Sequence, residues 1–368
     1  MITTAIKLID IARMANVSKA TASRALCNSP LVKDETRERI QRIAAYYNYQ
    51  PNSLAQAVAT KHSGIIAFLE HKKSKPYIAN TFFGPVLEGA MSESARLGYH
   101  IVLAAADSTT NTFDEHFIKD SIDGAMLTSF APQEVIAEFE RRGIPLVIIN
   151  DFVPFTTCND FILDDNYGGA WTMMEHLMLK CGRKKVAFIS ERLDHPSYML
   201  RYRAYVDFHM FYHIPFWNSS LSSKDAFDAD AYHAMLKIHG LPDFNTNGYP
   251  VLPDIPVNSF EGGENIMNKI LNSGELPDAV FVFDDIMALG VISAIKKAGL
   301  NVPEDIAVGG YDDIEASYIS DPPLTTVWVD RERIGREAVR LLLRRIAHQE
   351  LPSSVKMIPN RLIVREST

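Results

Sequence analysis

The sequence predicts an α/β protein made of a small N-terminal helix-turn-helix domain and a body of two parallel βα sheets with a cleft between them. Three observations predict this architecture. The 368 residues amount to about two to three typical domain lengths. From residue 63 onward, short apolar runs alternate with helical patterns. Basic residues are concentrated at the N-terminal end, where residues 1–61 carry nine Lys and Arg against four Asp and Glu.

The charge is divided unevenly along the chain. Residues 1–61 carry a net charge of +5, which leaves −13 for the rest of a chain whose total is −8. Phosphate neutralisation requires locally concentrated Lys and Arg, so this division favours a nucleic-acid-binding domain joined to an acidic body. A solvated charged surface is the alternative that charge alone leaves open.

Composition excludes several other classes. The chain is 47% apolar and 22% charged, which is typical of soluble globular proteins. No apolar run approaches the roughly 18 residues of a membrane span, and the N-terminus does not resemble a signal peptide. We therefore expect a cytoplasmic protein with no membrane association. Its three cysteines form no C-x-x-C pair, which argues against a disulfide framework and a zinc site.

The first 50 residues have the pattern of a helix-turn-helix. A helix over Leu8–Ala15 is followed by a tight turn and a second helix over Lys19–Leu26, for which Ser18 is a good N-cap. A third helix over Asp34–Tyr47 packs beneath the pair. The second-helix side chains that can reach bases or phosphates are Lys19, Ala20, Thr21, Ser23 and Arg24. Other three-helix domains share this periodicity, so the pattern alone leaves DNA binding open.

The body contains two sets of strands that alternate with helices. The first set has strand-like runs at Gly64–Glu70, Tyr99–Ala105, Gly124–Thr128 and Leu146–Asn150. Its helical patterns are Phe83–Leu97, Thr112–Ser121 and Pro132–Arg142. The second set has strands at Lys185–Ser190, Asp278–Phe283 and Ile306–Tyr311 and helices at Asn166–Lys180, Tyr198–Tyr212, Glu261–Leu271 and Ile286–Ala298. Open parallel sheets bind ligands at the carboxyl ends of their strands, so residues that end strands are the first candidates for ligand contacts.

Three motifs follow one another in Leu8–Val58, and in this order they are highly specific: VS-x-x-T-x-SR, TRERI and NYQPN-x-x-A. This stretch resembles the headpiece and hinge of the LacI/GalR family of bacterial transcription regulators, and the resemblance extends to about Val364. It implies a homodimeric, ligand-responsive regulator, more often a repressor than an activator, whose body is similar to periplasmic binding proteins. The implied domains are a headpiece (1–51), a hinge (52–62), a first lobe (63–163 and 330–357) and a second lobe (164–329 and 358–368). An insertion at about 216–258 has no predicted function.

The resemblance also implies DNA contacts with a double-stranded operator that forms an inverted repeat. Lys19, Ala20 and Arg24 stand where the family reads bases in the major groove. The positions of phosphate contacts or caps are Ser18, Thr21, Ser23 and Thr36. The implied hinge helix, which enters the minor groove beside its dimer mate, includes Asn52, Ala55 and Val58, with Val58 as the wedge. Cys27 departs from the usual Asn.

Four positions match places where the family contacts its effector: Asn150, Arg201, Asp284 and Asp312. Carboxylates, an amide and a guanidinium suit the hydroxyls of a sugar or sugar derivative. Helix capping is the alternative role of both aspartates. The aromatic candidates for stacking on a sugar ring are Phe82, Phe83 and Phe260, for which a place in the core is the alternative.

The body carries no motif that predicts an enzyme. Phosphate-binding and dinucleotide-binding glycine loops and a nucleophile elbow are absent from the sequence, so we expect no catalysis and no cofactor. His209 and His213 have a metal-compatible spacing, but no third ligand is identifiable, so no metal is expected. The alternatives that stay open are a non-sugar metabolite or a partner protein as the signal, and a sugar receptor without a DNA role.

Overall fold

The computed structural model describes residues 6–26, 31–49, 62–71, 80–106, 122–128, 133–151, 159–190, 195–217 and 259–368. Several predicted features lie outside these ranges: Asn52, Ala55 and Val58 of the hinge, Cys27, the helix at 112–121 and most of the insertion at 216–258. The N-terminal helices belong to one compact unit and the body to a second.

The N-terminal unit contains the three predicted helices. These are α1 (Leu8–Met14), α2 (Lys19–Leu26) and α3 (Asp34–Tyr46). The predicted N-cap is confirmed, because the Thr21 amide donates to Ser18 Oγ at 3.0 Å and satisfies a free donor of the first turn of α2. The small core consists of Ile11, Ala15, Ala25, Val32 and Ile40. Since the apolar face of each helix points into this core, the opposite face of α2 is left to solvent.

In its described residues the body contains eleven short strands and eight α-helices. The strands are β1 (Ile65–His71), β2 (His100–Ala106), β3 (Gly124–Thr128), β4 (Leu146–Ile149), β5 (Asp160–Asp164), β6 (Val186–Ile189), β7 (Ala279–Val282), β8 (Ala307–Asp312), β9 (Thr325–Trp328), β10 (Val355–Ile358) and β11 (Arg361–Ile363). The helices are α4 (Phe83–Arg96), α5 (Gln133–Arg142), α6 (Asn166–Glu175), α7 (Pro196–Phe211), α8 (Phe260–Leu271), α9 (Asp285–Lys297), α10 (Glu315–Ile319) and α11 (Arg331–Ala347).

These strands form two separate sheets, as the sequence predicts. The sheet ordered β10-β5-β4-β3-β1-β2 and the helices packed on it are called the first lobe, and helix α11 packs there against α4 and strands β3, β4 and β5. The sheet ordered β11-β9-β8-β7-β6 is called the second lobe, where α6 packs on α7 and α8 packs on α9. Neighbouring strands from β6 to β9 are parallel, and β11 is antiparallel to β9. The carboxyl ends of β6, β7 and β8 therefore meet at one edge.

Three strands and one long helix were not predicted as elements: β5, β9, β10 and α11. The chain crosses from one lobe to the other after β5, after β9 and after β10, since these strands precede elements of the opposite lobe. No helix in the described ranges is both long and apolar enough to span a membrane.

The environment of Glu93 on α4 indicates that the folded protein loses stability in acid. Glu93 is only 3% exposed, and its carboxylate accepts hydrogen bonds from Arg96 on its own helix and from Arg340 on α11. These two arginines lower the pKa of Glu93 to about 2. A carboxylate with a lowered pKa stabilises the fold above the pKa of the unfolded chain, and the contribution is lost as pH falls toward 2.

We therefore expect Glu93→Gln to lower the melting temperature at pH 7 by about 2–6 °C. The difference from wild type should narrow steadily between about pH 4.3 and 2, because the wild-type carboxylate is neutralised there. Thermal unfolding followed by circular dichroism measures both effects. A difference that stays constant down to pH 2 would contradict the assigned pKa.

Candidate functional site

The outer face of α2 presents the predicted DNA-contacting side chains. The exposed ones are Ser18, Lys19, Ala20 and Arg24. Thr21 and Ser23 on α2 and Thr36 on α3 are partly buried. Ala22 and Ala25 are fully buried on the opposite side, so the amphipathic helix directs its polar and basic residues outward. A helix with such a face fits the major groove, where its side chains reach base edges and phosphates.

Arg201 on α7 lies at the centre of the second-lobe site. It is 4% exposed, and its Nε donates to Asn166 Oδ1 at 2.7 Å. Its Nη1 donates to the carbonyl oxygen of Phe283, which directly follows β7. The guanidinium also lies over the Tyr311 ring, with Cζ 3.6 Å from the ring centroid. Burial alone would lower the pKa of Arg201, but Asp312 and other negative groups outweigh burial and raise it.

Asp312 ends β8 and faces this guanidinium. Arg201 Nη2 and Asp312 Oδ1 are 3.5 Å apart, which is longer than the roughly 2.7–2.9 Å of a close charge-assisted hydrogen bond. The Asp312 side chain is 15% exposed, against 4% for Arg201, so the carboxyl group is open on one side. Burial raises the pKa of Asp312 well above its usual range, and Arg201 opposes that shift. The pair thus offers donors and acceptors to a ligand hydroxyl.

A polar network joins this site to the first lobe. Asn360 donates through Nδ2 to Tyr311 Oη and to Asp164 Oδ2, both at 2.7 Å. Asn166 donates to Asp164 Oδ1 at 2.8 Å. Asp164 ends β5 in the first lobe, so the group that holds Arg201 is hydrogen-bonded to both lobes. Sequence reasoning did not single out Tyr311, Asn360 or Asp164.

The two consecutive aspartates after β7 have different roles. Asp284 caps α9, because its Oδ1 accepts from the Met287 amide at 2.8 Å. Asp285 is 1% exposed, and it accepts from the Ile314 amide at 3.0 Å and the Ser317 hydroxyl at 2.7 Å. Burial raises the pKa of Asp285 to about 7. Asp284 therefore caps the helix. Asp285, which the sequence analysis does not name as a site residue, holds the turn that follows Asp312.

The predicted first-lobe residues lie in two places. Asn150 follows β4 in a left-handed conformation, with φ 51°, and its Oδ1 accepts from the Asp164 amide at 3.2 Å. Phe83 begins α4 and Phe82 directly precedes it, with the two rings edge to face and their centroids 5.1 Å apart. Asn80 Oδ1 accepts from both of their amides, at 2.9 and 3.0 Å. Asn150 is thus linked to the network around Arg201 through Asp164.

Phe260 lies apart from the other predicted effector residues. The residue is 39% exposed and lines a surface cavity of about 540 Å³ together with residues of α9 and α10 such as Leu289, Ala316 and Lys296. Phe260 is the first residue of α8, and a position at the start of a helix does not by itself specify which side of the helix the ring occupies.

His209 on α7 and His213, which lies two residues beyond the end of this helix, do not form a metal site with other described groups. His209 is 1% exposed and stacks on Phe216, with its Nδ1 3.2 Å from the Ile214 carbonyl oxygen. Burial lowers the pKa of His209. In the described ranges, no three His, Cys, Asp or Glu side chains are placed to hold a metal ion.

A helix-turn-helix unit with a basic outer face, followed by two mainly parallel sheets that share a polar site, defines a DNA-binding regulator with a ligand-binding body. Comparisons with known proteins agree with this class. Residues 7–52 match the family model for bacterial regulatory proteins of the lacI family, and residues 178–368 match a periplasmic binding protein-like domain.

The similarity to individual proteins covers nearly the whole chain. The HTH-type transcriptional repressor CytR of Escherichia coli K12 is 30% identical over 99% of this chain and 97% of its own length. PurR of Histophilus somni, also an HTH-type transcriptional repressor, is 29% identical over 97% of each chain. The crystal structure of the lac repressor dimer, bound to operator and the anti-inducer ONPF, matches with a TM-score of 0.72 and 25% identity over 99% of each chain.

The chain belongs to the LacI family. It is a DNA-binding transcriptional repressor with an effector-binding domain. The family consists of transcription regulators and not of enzymes, so the predictions of family, fold class and absence of catalysis are confirmed.

Proposed function

We propose that this repressor binds an inverted-repeat operator as a homodimer and changes its operator affinity when a sugar or sugar derivative binds between the lobes. The observation that carries the DNA part is the outer face of α2, where Lys19 and Arg24 are exposed beside a well-formed N-cap. Arg and Lys are the side chains that pair with the guanine edge in the major groove, and Arg does so with two parallel hydrogen bonds. Such a repressor acts where the chromosome lies, in the cytoplasm.

The Arg201–Asp312 pair supports an effector with neighbouring hydroxyl groups. The 3.5 Å separation leaves each partner able to gain a shorter hydrogen bond from a ligand, since a hydroxyl both donates and accepts. One hydroxyl on Asp312 and the next on Arg201 would match a vicinal diol. This chemistry is shared by free sugars and by the ribose of a nucleoside, so a test panel contains D-ribose, D-glucose, cellobiose, adenosine and cytidine.

The proposed domain organisation follows the sequence prediction. The headpiece is 1–51, the hinge 52–62, and the lobes are 63–163 with 330–357 and 164–329 with 358–368. In this proposal the effector changes the relation between the lobes, and the hinge transmits the change to the operator. A ligand shifts the equilibrium between two lobe arrangements only by the difference between its binding free energies for them. In typical allosteric proteins this coupling free energy is about 1–3 kcal/mol.

Arg24→Ala tests the DNA-binding proposal. We expect the variant to bind a selected inverted repeat more weakly by about 1–3 kcal/mol, because a guanidinium that holds a base edge contributes about this much discrimination. Binding to random DNA should weaken much less. Fluorescence anisotropy at fixed salt, with labelled inverted-repeat and random duplexes, measures both affinities.

Arg13→Ala is the matched control. Arg13 lies on α1 with its side chain 78% exposed, and its removal takes the same charge from the same unit without touching α2. It should lower both affinities by a similar, small factor. An equal loss for Arg24→Ala on specific and random DNA would assign Arg24 to the phosphate backbone and contradict its proposed role.

A further inference from the structure

Arg331 joins the main chains of the two lobes. It is the first residue of α11, directly after the crossing from β9 of the second lobe into a helix of the first lobe. Its Nη1 donates to the Thr81 carbonyl oxygen at 3.1 Å. Its Nη2 donates to the Asp313 carbonyl oxygen at 2.8 Å. One guanidinium thus connects the start of α4 with the turn after β8.

Both carbonyl groups belong to turns that carry proposed effector residues. Thr81 directly precedes Phe82, in a turn fixed by the Asn80 side chain. Asp313 directly follows Asp312 and is itself held, because Arg365 Nη2 donates to Asp313 Oδ1 at 2.6 Å. A change in the position of Arg331 would therefore move one half of the effector site relative to the other.

The lobes are not closely packed beside this contact. A cavity of about 880 Å³ adjoins Arg331, lined on the first lobe by Glu88 and Met91 of α4 and on the second by Ile314 and Glu315. Because unfilled space contributes no packing energy, the connection at this edge depends on the directed hydrogen bonds of the guanidinium. The planar fork of Arg can span two acceptors with fixed donors, whereas the single ammonium of Lys cannot reproduce that spacing.

We propose that Arg331 is a positioning residue that latches the two lobes at the edge of the effector site, and so sets the affinity for the effector. The proposal rests on the proposed function for its effector part only. Arg331 acts on the ligand through the Thr81 and Asp313 turns and needs no contact with it.

The test compares Arg331→Ala, Arg331→Lys and the control Arg333→Ala in the full chain. Arg333 lies two residues further along the same helix and is exposed. Its substitution by Ala removes the same charge as Arg331→Ala. Hydrogen exchange of the ligand-free proteins is measured on peptides covering 80–87 and 312–320. Both Arg331 variants should exchange about fivefold faster in these two regions, since losing a hydrogen bond of about 1 kcal/mol changes an opening equilibrium by this factor. Arg333→Ala should match wild type.

A second readout separates positioning from general stability. The compound of the panel that binds wild type should bind both Arg331 variants about fivefold or more weakly, while their melting temperatures stay within about 2 °C of wild type. The proposed role of Arg331 would be contradicted by wild-type exchange rates in both Arg331 variants or by an equal acceleration in Arg333→Ala. Unchanged effector affinity in the Arg331 variants would contradict it as well. If no panel compound binds wild type, the sugar proposal fails, and the exchange result alone then decides whether the latch exists.

Discussion

An Arg201→Met variant is expected to lose effector binding and to melt at a lower temperature than wild type. The guanidinium holds Asn166, the Phe283 carbonyl group and the Tyr311 ring as well as facing Asp312. Its removal deletes a charged ligand partner, which costs about 1.5–3 kcal/mol of binding, or roughly 10- to 150-fold in affinity. It also leaves buried acceptors without their donor, and this destabilises the second lobe.

The control for Arg201→Met is Arg203→Met on the same helix. Arg203 is also 4% exposed and pairs with Asp207 at 2.7 Å, away from Asp312. Calorimetric titration with the panel compound that binds wild type gives the affinities, and thermal unfolding gives the stabilities. Arg203→Met should lose stability and keep its affinity. If both variants lose affinity equally, the loss reflects damage to α7, and Arg201 has no direct role in binding the effector.

Arg345→Met is expected to cause the largest loss of stability, about 3–5 kcal/mol in the unfolding free energy of the first lobe. Arg345 on α11 and Asp160 on β5 are 4% and 3% exposed at their side chains, and they form a two-point pair at 2.8 and 2.9 Å. Asp160 also accepts from the Ser354 amide and hydroxyl groups. Burial alone would raise the pKa of Asp160, but Arg345 and Ser354 outweigh burial and lower it. Without Arg345, a buried carboxylate remains without its positive partner.

Urea unfolding followed by circular dichroism measures this loss, with Arg344→Met as the exposed neighbour on the same helix. The control should stay within about 0.5 kcal/mol of wild type. Because the pKa of Asp160 is lowered in the fold, the wild-type pair stabilises the protein above the carboxyl pKa of the unfolded chain and less as pH falls below it. A loss under 1 kcal/mol at pH 7 would show that the pair adds little beyond packing.

The N-terminal helices could be predicted closely because their signals are local. Ser18 caps α2 from the position that its hydroxyl indicates, and the helix bounds follow the apolar spacing. The same holds for β3, whose five residues are apolar or small and fully buried. Periodicity and capping depend on neighbours within one or two turns, so a single sequence contains them.

The contacts that assemble the proposed effector site lie beyond such local signals. Arg331 bonds to carbonyl groups 250 and 18 residues away, and main-chain acceptors leave no trace in the side-chain sequence. Asn360 joins Tyr311 to Asp164 only because β10 returns to the first sheet before the chain crosses again. In β10 three of four residues are exposed, so the strand lacks the apolar run that would predict it. Which of Asp284 and Asp285 caps the helix likewise depends on the surrounding fold.

Coupling between the Arg201–Asp312 site and the operator is tested most directly by operator affinity with and without effector, in wild type and in Asp312→Asn. Anisotropy titrations use one selected inverted repeat, and the effector is the panel compound that binds wild type. We expect this compound to change wild-type operator affinity by about 5- to 150-fold. The Asp312→Asn variant should bind the operator as wild type does, and the compound should change its operator affinity less than twofold. An equal response in Asp312→Asn, or no response of wild type to any bound panel compound, would contradict the coupling of this site to the operator.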